Sequence, residues 1–442
     1  MVNSLVKEVK MLERKIESLE DQLARYQTPK TSSNSSVPPS KDENRPMKSQ
    51  SLRKSSGRKS GGQQGHKGHT LKMSATPDRT IKYMPQFCTC CGNDLGEKEA
   101  TLHLRTQEID LPMPRVITIE HQAYRKRCQC GHLTTGQLPE HLKASVQYGS
   151  GVEAIIGYLH TRQYLPYQRL SELLSACFNL HLSEGTVDNI IQRLSQKAQG
   201  VYERIRQEIS HAPVVGSDET GAKVNGKRNW MWAWQNDKLT YIKASPCRGY
   251  TVIEQTFPQG LPNAILCHDA WKPHFKCQAA GHQLCIAHLL RDLEYLEKRY
   301  EHSWPSICKK LFFDSLELKK ILHPEQYKND CPKRTEIGER MDRLLEITFD
   351  QKHKELVTFV KRLKKYRSNL FVFLDHHQVP PDNNGSERAI RNVKVKQKIS
   401  GQFRSTTGAQ NFAILRSVID TLIKQSLDIL PNLQLIAKLT PE

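Results

Sequence analysis

Apolar residues recur at alternating spacings of three and four from Val2 through Leu5, Val9, Leu12, Ile16, Leu19 and Leu23 to Tyr26. This is an a/d heptad, with β-branched residues at most a positions and Leu at most d positions. It predicts a helix over 1–27 that pairs in a parallel two-stranded coiled coil. A single amphipathic helix packed on its own domain would give the same pattern. Periodicity then stops, and 28–76 is a basic linker of Ser, Lys, Arg, Gly and Pro, expected to be disordered without a partner. It returns over 149–200. Leu170, Leu173 and Leu174 mark one helix, a break falls at 179–182, and Ser183-Glu184-Gly185-Thr186 starts a second with Val187, Ile190, Ile191 and Leu194.

After Pro213 the period falls to that of strands. Val214-Val215-Gly216-Ser217-Asp218 is an apolar run ending on an acid, and Asn225-Gly226 is a hairpin turn signal. Trp230, Trp232 and Trp234 alternate along the next strand, Leu239-Thr240-Tyr241-Ile242 continues the meander, and Ala264-Ile265-Leu266-Cys267-His268 leads to Asp269. Three meandering strands, a helix and an acid-tipped strand open an RNase H-like α/β core. Beyond them Leu289, Leu293, Leu296, Leu344, Val357, Val360 and Leu363 recur at helical spacings and read as an all-helical insertion. The core resumes with a helix begun by Asp382-Asn383-Asn384, and an apolar helix follows near 429–439.

The fold class is therefore multidomain α+β. Its parts are a coiled coil (1–27), a basic linker (28–76), a zinc-ribbon-like module (77–145), a helical region (146–208), the RNase H-like core in two parts (209–278 and 376–442) and a helical insertion (279–375). The helical region resembles a helix-turn-helix that binds DNA, although any helical hairpin gives the same pattern.

Charge narrows the partner. Lys and Arg number 66 against 46 Asp and Glu, a net charge of +20, which favours a polyanion, nucleic acid before membrane. No apolar run is long enough for a membrane span, and no signal peptide opens the chain, so it reads as intracellular. There, 12 cysteines suit metal binding or burial better than disulfides. Cys88 and Cys91, then Cys128 and Cys130, form two knuckles, with a strand from Arg115 to Arg127 between them. Four thiolates match a structural Zn²⁺; Cys90 and His132 are alternative ligands, and buried thiols the alternative state. Lys48, Arg53, Lys54, Arg58, Lys59, Lys67 and Lys72 make the linker suited to DNA phosphates. The Gly-rich run 61–69 within it lacks the preceding strand that a nucleotide loop needs.

Asp218, Asp269 and Glu387 fall on strand, strand and helix in that order. Converging acids repel one another, so two Mg²⁺ or Mn²⁺ ions are their natural partners, suited to in-line phosphoryl displacement. Around Glu387 stand Arg388, Arg391, Lys394, Lys396, Lys398 and Arg404, candidates for holding DNA. His288 and Arg291 are candidate phosphate contacts; a second zinc at His282, Cys285 and His288, or simple packing along one helix, are the other options.

Several motifs together resemble the DDE transposases of the insertion-sequence-66 type. They are Ser217-Asp218-Glu219-Thr220-Gly221, Asp269 with Trp271 and Phe275, the Cys285-x-x-His288-Leu289-x-Arg291-Asp292-Leu293 run, and Asn383-Asn384-Gly385-Ser386-Glu387-Arg388 through Ser400-Gly401-x-Phe403-Arg404-Ser405. The heptads, the Gly-Gly-Gln and Gly-His-Lys-Gly-His stretch and the cysteine knuckles extend the resemblance over nearly the whole chain. The resemblance implies Asp218, Asp269 and Glu387 as metal ligands that cleave and join strands at terminal inverted repeats and target DNA. It also implies two small accessory proteins and a place in the bacterial cytoplasm, on the nucleoid. Lys272-Pro273-His274 departs from the small residues and Tyr that the family often has after the second acid. A hydrolysing RNase H-like nuclease or resolvase, and an inactive DNA-binding regulator, are the competing expectations.

Overall fold

Helix α1 (Val2–Gln27) forms where the heptads predict it, and Val6, Val9, Leu12, Ile16, Leu19, Leu23 and Tyr26 all face solvent. The structure is a computed structural model that describes residues 2–31, 34, 35, 42, 71–111, 116–142, 144–300, 302–327 and 331–440. The linker cations from Lys48 to Lys67, and the run 61–69, lie outside the described residues.

The chain forms two compact units, Pro46–Arg115 and the remainder, Met1–Arg45 with Val116–Glu442. The module expected over 77–145 therefore divides between them. In the smaller unit the described residues form turns, with a bridge between Phe87 and Asp94 closing a knuckle at Cys88. In the larger, β1 (Arg125–Arg127) pairs antiparallel with β2 (Leu133–Thr135) around a second knuckle at Cys128. Of the strand expected from Arg115 to Arg127, only Arg125–Arg127 is strand among the described residues, and the Val116-Ile117-Thr118-Ile119 run is not.

Four helices follow: α2 (Ser150–Thr161), α3 (Tyr167–Phe178), α4 (Glu184–Lys197) and α5 (Gln199–Ser210). Asn179 ends α3 in the left-handed region (φ 50°), and Ser183 Oγ accepts the Thr186 N–H to start α4. The expected boundary at 208 does not separate a domain. Ile156, Leu170, Ile190, Leu194 and Tyr202 share one core with Val215, Trp232, Trp234 and Leu266, and with Leu415, Val418 and Leu433. The apolar faces of these short helices are buried against the sheet rather than against one another alone.

That sheet comprises β3 (Val214–Val224), β4 (Lys227–Gln235), β5 (Thr240–Ser245) and, after α6 (Tyr250–Thr256), β6 (Leu261–His268). Helix α7 (Lys272–Phe275) then leads to β7 (Ala279–Leu284). The strand order is β5-β4-β3-β6-β7. The hairpin pairs are antiparallel, whereas β3–β6 and β6–β7 are parallel. Asn225 and Gly226 take φ 46° and 72°, the two positive values that a tight right-twisted hairpin turn requires. The sheet runs on to Leu284, past the expected limit at 278. Ala-Ala-Gly-His-Gln-Leu has no β-branched residue, so its strand form comes from pairing with β6.

The insertion is α8 (Ile286–Arg299), α9 (Trp304–Ile321), α10 (Pro332–Glu346), α11 (Lys354–Lys365) and α12 (Val372–Asp375), whose core around Leu293, Trp304, Phe312, Met341 and Leu363 continues into Ile265 and Cys267 of β6 and Leu284 of β7. It begins and ends at one point. The Ile286 N–H donates to Pro381 O at 2.9 Å, and the Asn383 N–H to Cys285 Sγ at 3.2 Å. Then α13 (Asn384–Ser400), α14 (Thr406–Lys424) and α15 (Ile429–Ala437) complete the chain's helices. Ala389 and Val393 of α13 and Phe412 of α14 pack with Phe403 on Ala222, Met231 and Ala233, the hairpin face opposite Trp232 and Trp234. No helix among the described residues is long and apolar enough to cross a membrane.

Candidate active site

Register sets the first two acids side by side. Gly216 of β3 is level with Cys267 of β6, so Asp218 and Asp269 each lie two residues beyond that pair on neighbouring parallel strands. Asp269 follows its strand directly, as expected, whereas Asp218 is mid-strand, because β3 continues to the Asn-Gly turn.

Glu387 arrives in the first turn of α13, whose N-terminus docks against β3. Gly216 permits the approach: a Cβ there would lie 2.6 Å from Ser386 Oγ and 2.7 Å from Asn383 Oδ1. Asn383 Nδ2 donates to Ser217 O at 2.7 Å, and Ser386 Oγ donates to Asn383 Oδ1 at 2.7 Å. From α8, His288 Nε2 and Arg291 Nη2 reach Glu387 Oε1 at 3.7 and 3.1 Å.

The acids carry opposite perturbations. Burial pushes the Asp218 carboxyl well above the ordinary range, and the charges of Glu219, Asp269 and Glu387 add to it. Among the described residues its carboxylate accepts one hydrogen bond, from the Glu219 N–H at 2.8 Å. Burial also opposes ionisation of Asp269, but His274 close beside it, then the charges of His288 and His268, bring it down to about 2. An all-oxygen set of mutually repelling carboxylates fits hard divalent cations.

Two tighter groupings exist among the described residues, His268-Asp269-His274 and Cys285-His288-Glu387, each with ligand atoms within 4.8 Å. The three acids themselves do not form a group that tight. Both nitrogens of His268 are engaged, one with Asp269 O and one with His282 Nδ1 at 3.1 Å. In the other group, Arg291 already neutralises Glu387, and burial pushes the Cys285 thiol up to about 11. His282, expected as a possible zinc ligand with Cys285 and His288, lies in β7 against His268, while Cys285 and His288 gather with Glu387.

The cations of α13 do not act alike. Arg388, Arg391 and Lys398 are exposed and, at 100° per residue, fall along one stripe; Arg404 beyond the helix is exposed too. Lys394 is half-buried and donates to Gly221 O. Lys396 corrects the expectation for it. It lies on the inward face with Ala389 and Val393, 5% exposed, its Nζ 3.5 Å from His160 Nδ1 of α2. A phosphate cannot reach it there. Burial brings Lys396 down to about 8, and burial with the Lys396 charge brings His160 down to about 3. Helix α4, expected as a possible DNA reader, presents few unpaired cations. Its exposed positions include Glu184, Asp188 and Asn189, and its cations Arg193 and Lys197 are bound to buried Glu153 at 2.7 and 2.9 Å.

Behind the acids lie residues whose roles the sequence did not disclose. Glu219 alternates with Asp218 along β3 and therefore points to the other face, its side chain 2% exposed. Arg248 Nε and Nη2 donate to its Oε1 at 2.8 and 2.6 Å. His274, fully buried on α7, has Nδ1 3.5 Å from Asp269 Oδ1 and Nε2 3.2 Å from Ser217 Oγ. The available signals were an acid pair on one strand and a His five residues after an acid.

Each cysteine knuckle is formed within its own unit. The Gly92 N–H donates to Cys88 O and the Gly131 N–H to Cys128 O, both at 2.9 Å, with the glycines at φ 75° and 88°. Backbone N–H groups of Cys91 and Cys90 lower the Cys88 thiol, and that of Cys130 lowers Cys128, as thiolate ligands need.

Residues 145–411 match the model of the Transposase IS66 family, a span of more than half the chain that contains β3, β6, α8 and all three acids. Residues 1–72 match the Family of unknown function (DUF6444). Comparison with curated proteins gives no match. The chain belongs to the IS66 transposase family.

Proposed function

We propose that this transposase cleaves DNA strands at the terminal inverted repeats of its element and joins the freed 3′-hydroxyls to target DNA, with Asp218, Asp269 and Glu387 holding two Mg²⁺ or Mn²⁺ ions in an RNase H-like core. One observation supports this reading: the β3–β6 register puts Asp218 and Asp269 at the same level of neighbouring strands, and Asn383 ties the helix terminus that carries Glu387 to Ser217 beside them. The strand order, a three-strand meander followed by two parallel strands, supports the fold assignment. When bound, the metal ions would polarise the attacking oxygen and stabilise the leaving one.

The protein's own residues do the positioning. Arg291 and His288 fix the Glu387 carboxylate, His274 faces Asp269, and Asn383 locks the α13 terminus to β3. Exposed Arg388, Arg391, Lys398 and Arg404 hold phosphates, and no side chain needs to become a covalent nucleophile. The exposed α1 stripe pairs with a second copy of the chain, and two small accessory proteins of the element act alongside. Cys88, Cys91, Cys128 and Cys130 are proposed to bind structural Zn²⁺; zinc content at purification, lost in Cys88→Ser and Cys128→Ser, tests this.

The central test supplies repeat-end DNA, target DNA and Mg²⁺ and follows cleavage and joining on gels. Wild-type protein should give both products. Asp218→Asn, Asp269→Asn and Glu387→Gln should each lose both while retaining DNA binding without metal. Cleavage without joined product from pre-cut ends would indicate a hydrolysing nuclease instead. Unchanged cleavage and joining in all three variants would end the catalytic assignment.

A further inference from the structure

The second acid of the site is approached from behind by a chain of polar groups that reaches the opposite face of the sheet. His274 stands between two carboxylates, with Nδ1 3.5 Å from Asp269 Oδ1 and Nε2 3.8 Å from Glu219 Oε2. Both inner atoms of this chain, His274 Nδ1 and Glu219 Oε2, are buried and find no closer hydrogen-bond partner among the described residues. Polar atoms isolated in a core are costly, so the placement of Nδ1 beside Asp269 and of Oε2 beside His274 Nε2, which also meets Ser217 Oγ at 3.2 Å, calls for a reason.

The outer end is clamped. Arg248 gives two N–H groups to Glu219 Oε1 while its guanidinium lies over the rings of Trp230 and Trp271, 4.6 and 4.3 Å from their centroids. Planarity lets guanidinium stack and donate in its own plane at once, which an ammonium cannot do. The loop that carries Arg248 is fixed by Trp232 Nε1, which donates to Cys247 O at 3.2 Å. Trp271 closes the circuit, since its backbone N–H donates to Asp269 Oδ1 at 3.1 Å.

We propose that Arg248, Glu219 and His274 are positioning residues that hold Asp269 in the orientation its metal ion requires, acting through one another in that order. The proposal rests on the reading of Asp269 as a metal ligand. Groups that orient a ligating side chain change metal affinity by about 10–100-fold when removed. Among the described residues none of Arg248, Glu219 and His274 is bonded to Arg388, Arg391 or Lys398, so DNA affinity should not follow metal affinity.

Binding of Mn²⁺ alone to the full chain, read from the electron paramagnetic resonance of free Mn²⁺, tests the proposal independently of catalysis. His274→Ala and Glu219→Gln should weaken Mn²⁺ binding by about 10–100-fold, with metal-free affinity for repeat-end DNA within about twofold of wild type. Arg248→Lys should weaken Mn²⁺ binding as well, although it keeps the charge, because it cannot stack and fork together. Glu219→Gln preserves side-chain volume and decides the matter if His274→Ala melts below the assay temperature. Asp269→Asn separates the two layers of the reading. If it binds Mn²⁺ like wild type, the metal-ligand assignment itself fails. If it loses Mn²⁺ while folded His274→Ala and Glu219→Gln bind normally, only the positioning chain is overturned.

Discussion

The Arg291 guanidinium on α8 lies 3.1 Å from the Glu387 carboxylate on α13, 96 residues later in the chain. The pair ties the first helix of the insertion to the acid that follows it. Arg291→Ala should leave Glu387 with His288 as its one remaining partner of the two and lower strand cleavage by about 10–100-fold, the scale expected when a reacting group is misplaced by an ångström. Arg291→Lys should recover part of the loss. Single-turnover cleavage of repeat-end DNA at saturating Mg²⁺ measures both.

Phosphate contact should follow exposure along α13. Arg388→Ala, Arg391→Ala and Lys398→Ala should each weaken DNA binding at all sequences and reduce the slope of log affinity against log salt by about one. Lys396→Met should change neither quantity, because its Nζ sits inside against His160. Fluorescence anisotropy with labelled DNA over a salt series distinguishes them.

Lys396 should instead appear in stability against pH. Its folded value of about 8 lies below its ordinary 10.5, so between these values the unfolded chain binds more protons. Stability contributed by this group therefore rises with pH across that window, and below about 8 the buried charge is a full penalty. Lys396→Met should raise stability at pH 7 by about 1–3 kcal/mol and flatten the slope between pH 8 and 10.5. Lys319 and Lys424, also brought by burial to about 8, retain their shares of the slope. Urea melts at a series of pH values give the result.

Gly216 separates β3 from the α13 terminus. A methyl group there would come within 2.5 Å of Gln235 Nε2 and 2.6 Å of Ser386 Oγ. Gly216→Ala should cost about 1–3 kcal/mol of stability through overpacking and reduce cleavage by about 100-fold by moving Glu387 away from Asp218. Thermal melting and the same cleavage assay test the two effects separately.

Much of the sheet was legible because its signals are local. Asn225-Gly226 dictates a turn through its positive φ values, and the alternating tryptophans mark two faces of one strand. Asp269 was legible as a strand-end acid because it closes an apolar run, whereas Asp218, read the same way, lies mid-strand because β3 continues to the Asn-Gly turn. β7 was hidden, since Ala279-Ala280-Gly281 becomes a strand only through hydrogen bonds to β6. Lys396 was misread because a run of cations along a sequence does not reveal helical phase, and its phase points inward. His274 and Arg248 were beyond reach for another reason: their roles depend on a carboxylate that β3 turns to the face opposite Asp218, a relationship fixed by tertiary packing.

The closure of α13 onto β3 also sets an order in time. Asn383 bonds Ser217 across 166 residues, and the Ile242 N–H finds Ser417 Oγ across 175. During synthesis the chain leaves the ribosome N-terminus first, so α1 and the whole five-stranded sheet emerge while the third acid has not yet been translated. A nascent or prematurely terminated polypeptide can thus display α1, Asp218 and Asp269 without Glu387. On the proposed reading, competence to cut would reach each molecule only once α13 and its Glu387 have followed the sheet out.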